Sequence, residues 1–280
     1  MIETRKVKKN ILFIFLLLGS VVTIYPLAWM VASSFKPEWL IFSNKSLYIT
    51  HFTFDNYIRG FKGIGGVSFI QYVKNTFILE FFVIIANIVS CSMTGYAFAR
   101  LRFFGKNVLF VLMLLTMMLP MHATLISKYI MFSKLGWMDT YLPLTVPHFF
   151  AVTSFFVFLF VQFMRGIPKE LDQVAEVDGC SPVGIYFRIM LPLSLPAIVT
   201  TAIFTFIWTY DDFFSQLIYI NDPKKFTVAL ALRQYIDATG WSAFGTLFAM
   251  SSVSLVPLLI FFITCQKYLI EGIATTGLKG

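Results

Sequence analysis

The chain has 280 residues, of which 58% are hydrophobic and 13% charged, with 33 phenylalanines and a formal net charge of +8. A water-soluble domain carries about 25% charged residues, so this composition excludes soluble domains, disordered chains and coiled coils, and lipid must cover the surface. The surplus of Lys and Arg then reads as flanks of membrane spans beside anionic headgroups rather than as a surface for nucleic acid.

A membrane helix needs about 20 mostly apolar residues. The first such run covers 11–33 and follows a basic stretch, Arg5, Lys6, Lys8 and Lys9. A cleaved signal peptide has an apolar core of about 7–15 residues, so an uncleaved anchor is expected. The segment 34–72 is a loop rich in glycine and aromatic residues. Further spans are predicted at 73–98, 107–126, 141–163, 193–219 and 243–263. Pro120 interrupts the third, and Pro143 and Pro147 interrupt the fourth; neighbouring helices must take up the freed backbone groups. Gly95, Ala97 and Ala99 suggest close helix approach. The expectation is an all-α polytopic membrane protein with six transmembrane helices, forming a single domain over 1–280. Six spans put both termini on one side. The N-terminal basic cluster, with Arg100, Arg102 and Lys106 in a short connection, places that side in the cytoplasm.

Cys91, Cys180 and Cys265 show no CxxC or metal spacing and read as inert thiols. His51, His122 and His148 are too scattered for a metal cluster. No metal site is expected, and His148, after Pro147, reads as a helix-packing residue.

The segment Ile167 to Pro192 is the informative one. Pro168 suits the first position of a helix. Leu171, Val174, Ala175 and Asp178 fall at i, i+3, i+4 and i+7, the first three making an apolar stripe. Gly179 is placed to end that helix in a left-handed turn. Ser181-Pro182 reads as an N-cap and first-turn proline opening a second helix from Val183 to about Met190. The first helix carries Glu170, Asp172, Glu176 and Asp178 against Lys169. Interfacial helices usually place basic residues on their polar face, so a protein groove suits this one better than anionic lipid.

The spacing of Gln173-Val174-Ala175, Gly179, Ile189 and Leu191-Pro192 is similar to the EAA motif of permease subunits of ATP-binding-cassette importers. Gln173 stands where that family has Glu, and Val174 where it has the first Ala. The resemblance covers nearly the whole chain. FTFDNYI at 52–58, TGYAFARLRFFGKN at 94–107 and LGWMDTYLPL at 135–144 resemble successive blocks of sugar-importer permeases of the maltose-permease type. TYDDFFSQLIYI at 209–220 resembles their Trp-Asn-Asp-Phe block, with Tyr210 and Asp211 replacing Trp and Asn. QKYLIEGIATTGLKG at 266–280 resembles their C-terminal signature. The chain looks like the smaller of two permeases, without the extra N-terminal spans often found in the larger.

The resemblance implies the type I ABC importer permease fold. It also implies a second homologous permease, two cytoplasmic ATPase subunits that carry ATP and Mg, and an extracellular or periplasmic sugar-binding protein. No cofactor is expected on this chain, and no GxxxxGK[ST] loop is present. ATP-driven closure would pass through the EAA loop. Leu171, Val174 and Ala175 are the expected seated face, with Gln173 in the motif's polar position. Asp178 and Gly179 fix the corner, and Ile189, Leu191 and Pro192 lock the second helix to the fifth span. The C-terminal tail with Gly272, Gly277 and Lys279 should face the ATPases.

Glu80, Asp211 and Asp212 lie at membrane depth, where acids usually mark pathways or pairs. Asp211 and Asp212 sit among Phe206, Trp208, Tyr210, Phe213 and Phe214, a setting suited to sugar. Tyr210, Asp211, Asp212 and Gln216 are the substrate-path candidates; the other reading is that the two acids cap the outer end of the helix. The alternative function is an ion-coupled secondary transporter or channel, which would usually show internal repeats. A membrane enzyme would need a catalytic constellation, and neither HExxH nor GxSxG occurs.

Overall fold

The computed structural model describes residues 2–237 and 243–277. The side chains of Arg5, Lys6, Lys8 and His122, and of the C-terminal tail from 267 on, lie outside the described residues. Every named element among the described residues is helical.

Among the described residues four helices are long and apolar enough to cross a membrane: Lys9–Ser34, Phe69–Arg100, Leu142–Gly166 and Phe244–Gln266. Pro182–Leu193 and Leu195–Tyr210, bent by 72°, make a fifth if read as one broken span. The expected third span is shorter than its apolar run. Its helix is Lys106–Thr116. The amides of Met117, Met118 and Leu119 then turn to the carbonyls three residues back, and Pro120 has no N–H to continue the ladder. A 3-10 turn, Met121–Thr124, leads into a separate helix, Leu125–Lys134.

The fourth span is broken as its prolines suggest. Leu142–Thr145 and the 3-10 segment Val146–Phe150 each take a proline into their first turn. Ala151 then adopts φ +54, and the helix resumes at Ser154–Gly166. The fifth predicted span is not one helix over 193–219. It divides into Leu195–Tyr210 and Phe213–Tyr219 around the two adjacent acids.

The chain forms two compact units, Met1–Gln71 with Ala231–Pro257, and Tyr72–Leu230 with Leu258–Gly280. In the first unit the 34–72 loop folds on buried polar groups. Lys36 is fully buried and donates from Nζ to the carbonyls of Asn44 and Ser46. Asn56 donates to the carbonyls of Ser34 and Lys36, each at 2.8 Å. The Glu38 carboxylate accepts from the amides of Phe244 and Gly245 at 2.8 and 2.9 Å, a charged cap on the N-terminus of the last helix.

In the second unit the Phe69–Arg100 helix is the spine. Its buried face carries polar side chains that hold one element after another. Asn75 donates to the carbonyls of Lys224 and Phe226. Thr76 accepts from the amide of Val228. Asn87 donates to Thr205 Oγ1 and accepts from Thr153 Oγ1. Ser90 donates to the carbonyl of His148. Such internal partners are what a polar group at membrane depth requires. Glu80, on the same face and 2% exposed, has no hydrogen bond to either carboxylate oxygen among the described residues. Gly95 sets the approach of Ser154–Gly166: a Cβ there would stand 2.5 Å from Phe160 Cβ.

Asp139 ties two loops. Its Oδ1 accepts from the amides of Asn221 and Asp222 at 3.0 and 2.9 Å, and its Oδ2 lies 2.6 Å from Lys225 Nζ. Lys225, then the Asp222 amide, hold its carboxyl well below the usual range, at about 2. The residue sits at φ +58, a conformation that Asp tolerates better than most side chains.

Candidate functional site

The 167–194 segment is a helix–corner–helix. Its first helix is Glu170–Val177, starting just after the expected proline. The corner is a full Schellman arrangement. The Gly179 amide donates to Glu176 O at 3.0 Å, and the Cys180 amide to Ala175 O at 2.9 Å. Gly179 has φ +81. Ser181 then caps the next helix, accepting from the Gly184 amide at 3.2 Å, with Pro182 in its first turn.

That second arm is not plain α-helix. Pro182–Ile185 runs into a π-helical turn, Tyr186–Met190, and then Leu191–Leu193. Ile189 and Leu191 pack on the core of the unit, while Pro192 is exposed. The arm meets Leu195–Tyr210 at Ser194, which is fully buried. The Ser194 amide donates to the carbonyls of Met190 and Leu191. Ile189, Leu191 and Pro192 therefore lie just before a corner, not inside a continuous span.

The C-terminal end of the Phe69–Arg100 helix carries the mount of this segment, through residues that the sequence alone did not single out for it. Ser92 shares a 2.7 Å hydrogen bond with the Tyr186 hydroxyl. Tyr96 donates to Pro182 O at 2.9 Å, and its ring lies 5.4 Å from that of Tyr186. Arg100 donates from Nη2 to Ile167 O at 2.6 Å, and its Nε stands 3.1 Å from Asp172 Oδ2. Residues 92, 96 and 100 recur at i, i+4 and i+8, one face of a helix; that spacing was the available signal. Burial pushes the Asp172 carboxyl up, and Arg100 draws it back.

The expected apolar stripe is divided by this mount. Ala175 is 6% exposed and belongs to the chain's own core. Leu171, Val174 and Val177 face outward, 41, 61 and 88% exposed. A one-residue step on a helix turns a side chain by about 100°, so Asp172 and Ala175 point to the mount while the three larger side chains point away. Gln173 and Asp178 are exposed, and the Asp178 amide donates to Val174 O.

The substrate-path candidates separate. Asp211 is exposed at the end of Leu195–Tyr210. Tyr210 stacks on Phe206, ring centroids 5.5 Å apart. Asp212 accepts from the Ser215 amide at 3.0 Å and caps the N-terminus of the following helix, Phe213–Tyr219, not the end of Leu195–Tyr210. Asp212 also lines a cavity of about 370 Å³ with Gln216, Thr209, Lys128 and His148. Gln216 is 1% exposed, accepts from Thr227 Oγ1 and donates to Thr209 O. Among the described residues no group of three or more His, Cys, Asp or Glu is placed to hold a metal.

Residues 91–274 match the family described as binding-protein-dependent transport system inner membrane component. The chain is 32% identical to the probable ABC transporter permease protein YurM of Bacillus subtilis, over 96% of this chain and 88% of that protein. It is 29% identical to the galactooligosaccharides transport system permease protein GanQ of Bacillus subtilis, over the full length of both. With the trehalose/maltose transport system permease protein MalG of Thermococcus litoralis it shares 28% identity over 98% of each. The fold matches a chain of a bacterial ABC transporter involved in the import of the acidic polysaccharide alginate, with a TM-score of 0.84, 18% identity and coverage of 95 and 97%. Helices of membrane-crossing length and this match over most of the sequence agree: the chain is a multi-pass membrane protein of the binding-protein-dependent transport system inner membrane component family.

Proposed function

We propose that this chain is one of two permease subunits of an ATP-driven importer of sugars or oligosaccharides. The observation that carries the proposal is the 167–194 segment, pinned beneath by Arg100 and Tyr96 while Leu171, Val174 and Val177 face outward. Three apolar side chains on one short helix suit a protein groove, and a mount on the spine helix suits transmission of a displacement. In this reading both termini and the segment are cytoplasmic, and two ATPase subunits, which carry ATP and Mg, grip the outward face. Gln173 lies at the rim of that contact, Asp178 and Gly179 hold the corner, and Ile189, Leu191 and Pro192 carry motion into Leu195–Tyr210. The carbohydrate class is supported by the similar proteins, among them permeases for galactooligosaccharides and for trehalose and maltose. A sugar-binding protein outside the membrane delivers the substrate. The chain itself performs no hydrolysis.

Val174→Cys, expressed with a candidate second permease and ATPase, tests this. The expected result is a cross-link from position 174 to the ATPase and ATP-dependent uptake of a radiolabelled oligosaccharide. Uptake by the chain alone, driven by an ion gradient without ATP, would overturn the proposal in favour of a secondary transporter.

A further inference from the structure

Two cavities of the second unit adjoin. The first, about 370 Å³, holds His148, Thr209, Asp212, Ser215 and Gln216. The second, about 570 Å³, holds Thr116, Thr124, Thr153, Ser154, Phe155 and Trp208. Lys128 and Val152 line both, so the two are compartments of one groove. Each lies in the range of about 300–1,000 Å³ that small-molecule sites occupy.

The groove is lined mainly by apolar side chains with a few polar ones set among them, and in a membrane helix bundle polar side chains are costly and usually functional. Its wall is also organised from behind. Asn87, 2% exposed, meets His148 Nδ1 at 3.2 Å and accepts from Thr153 Oγ1 at 3.1 Å. One of these partners lines each compartment, so a single buried amide sets the polar edge of both. Lys128 is exposed and has no hydrogen bond or ion pair among the described residues. Asp212 accepts its cap bond at Oδ1 and lines the first compartment, where its carboxylate is an acceptor. In the second compartment Trp208 is 47% exposed and backed by Phe156, stacked at 5.2 Å and 22°. A rigid indole supported from behind offers the apolar platform on which a sugar ring stacks.

We propose that this subunit itself holds two neighbouring rings of a neutral oligosaccharide in this groove. Trp208 takes the apolar face of one ring. Lys128, at the junction, donates to hydroxyls of both, and Asp212 accepts from hydroxyls of the other. The pairing of one free cation with one carboxylate favours uncharged sugar, because a uronate would meet Asp212 as a like charge. The proposal rests on the reading of the chain as a carbohydrate permease, and adds that the path contacts substrate within this chain.

The test uses the full importer, both permeases with ATPase and binding protein, in proteoliposomes. The probes are radiolabelled di- and trisaccharides of glucose and galactose, with a uronic-acid disaccharide for comparison. Lys128→Gln, at an exposed position, and Trp208→Phe, which keeps an aromatic ring on Phe156, are each expected to slow uptake of the preferred neutral sugar by about tenfold, the scale of one lost charge-assisted hydrogen bond or stacking contact. In a background of Cys180→Ser and Cys265→Ser, labelling of Lys128→Cys by a charged thiol reagent should slow at least about fivefold when that sugar saturates the importer. A merely structural Lys128 would give no such protection. Uptake in both variants equal to wild type, or labelling unaffected by sugar, overturns the groove while leaving the permease intact. A preference for the uronate overturns the assignment to neutral sugar. If the wild-type importer takes up none of these sugars, the carbohydrate reading itself falls, and the groove with it.

Discussion

Arg100 Nε stands 3.1 Å from Asp172 Oδ2, with the two side chains 5 and 16% exposed. The pair joins the last residue of the spine helix to the first turn of the 167–194 segment. Among the described residues Nε and Nη1 of Arg100 and Oδ1 of Asp172 are buried without hydrogen-bond partners, so each charge depends on the attraction of the other.

Removing one member should therefore hurt more than removing both. Arg100→Met is expected to cost on the order of 3 kcal/mol, because it strands a buried carboxylate. Arg100→Met with Asp172→Leu should recover much of that loss. Thermal unfolding of the solubilised protein and proteolysis within 167–194 measure both; a double variant no better than the single would show that the charges do not interact. Burial already pushes the Asp172 carboxyl up. A raised carboxyl favours the folded state as the pH falls, so docking in Arg100→Met should strengthen on mild acidification.

Gly179 decides the corner. Its φ of +81 lies in the region that favours glycine, and its amide bonds Glu176 O. Gly179→Ala should cost about 1–2 kcal/mol. Gly179→Pro cannot reach that φ and has no amide to donate, so the first helix should lose its direction relative to the second. The expected readout is a fall of about tenfold or more in sugar imported per ATP hydrolysed, in complexes that still assemble. An unchanged ratio would remove the corner from the coupling path.

The Asp139 clasp predicts a pH dependence outside the spans. Its folded carboxyl titrates at about 2, below the ordinary value of about 3.9. The contribution is fully present above that ordinary value and is lost as the pH falls from about 4 towards 2. Asp139→Asn should lower the thermal midpoint at pH 7 and lose less than wild type on acidification. Parallel midpoint curves for the two proteins would contradict this.

Gly95 and Phe160 set a close helix contact. A Cβ at Gly95 would lie 2.5 Å from Phe160 Cβ, which belongs to a fully buried side chain. Gly95→Ala should cost about 1–3 kcal/mol by overpacking, and Phe160→Leu, which keeps the Cβ that is met, should not relieve it. Wild-type stability of Gly95→Ala would refute the tightness of that contact.

The amino-acid sequence by itself determined the all-helical membrane class, because apolar runs without charge have no other stable environment. It also determined the corner of the 167–194 segment, because Gly179 and Ser181-Pro182 act locally through backbone angle and capping. Pro120, Pro143 and Pro147 marked the interruptions of the third and fourth spans, and only the tertiary structure decided how the chain bends there and that the fifth run breaks at Ser194 and at Asp211-Asp212. Those bends depend on which carbonyls neighbouring amides reach, which an apolar run does not record. It likewise decided that Ala175 turns inward while Leu171, Val174 and Val177 turn outward, since the stripe's facing follows from where Arg100, 72 residues before Asp172 in the chain, brings its charge. The groove shared by Lys128, Trp208 and Asp212 was legible only in part: the aromatic run around Asp212 marked one wall, but Lys128 and the buried amide of Asn87 reach it from helices distant in sequence. Hydrogen bonds and charges at long separation leave no periodic trace, and those are what place this protein's functional side chains.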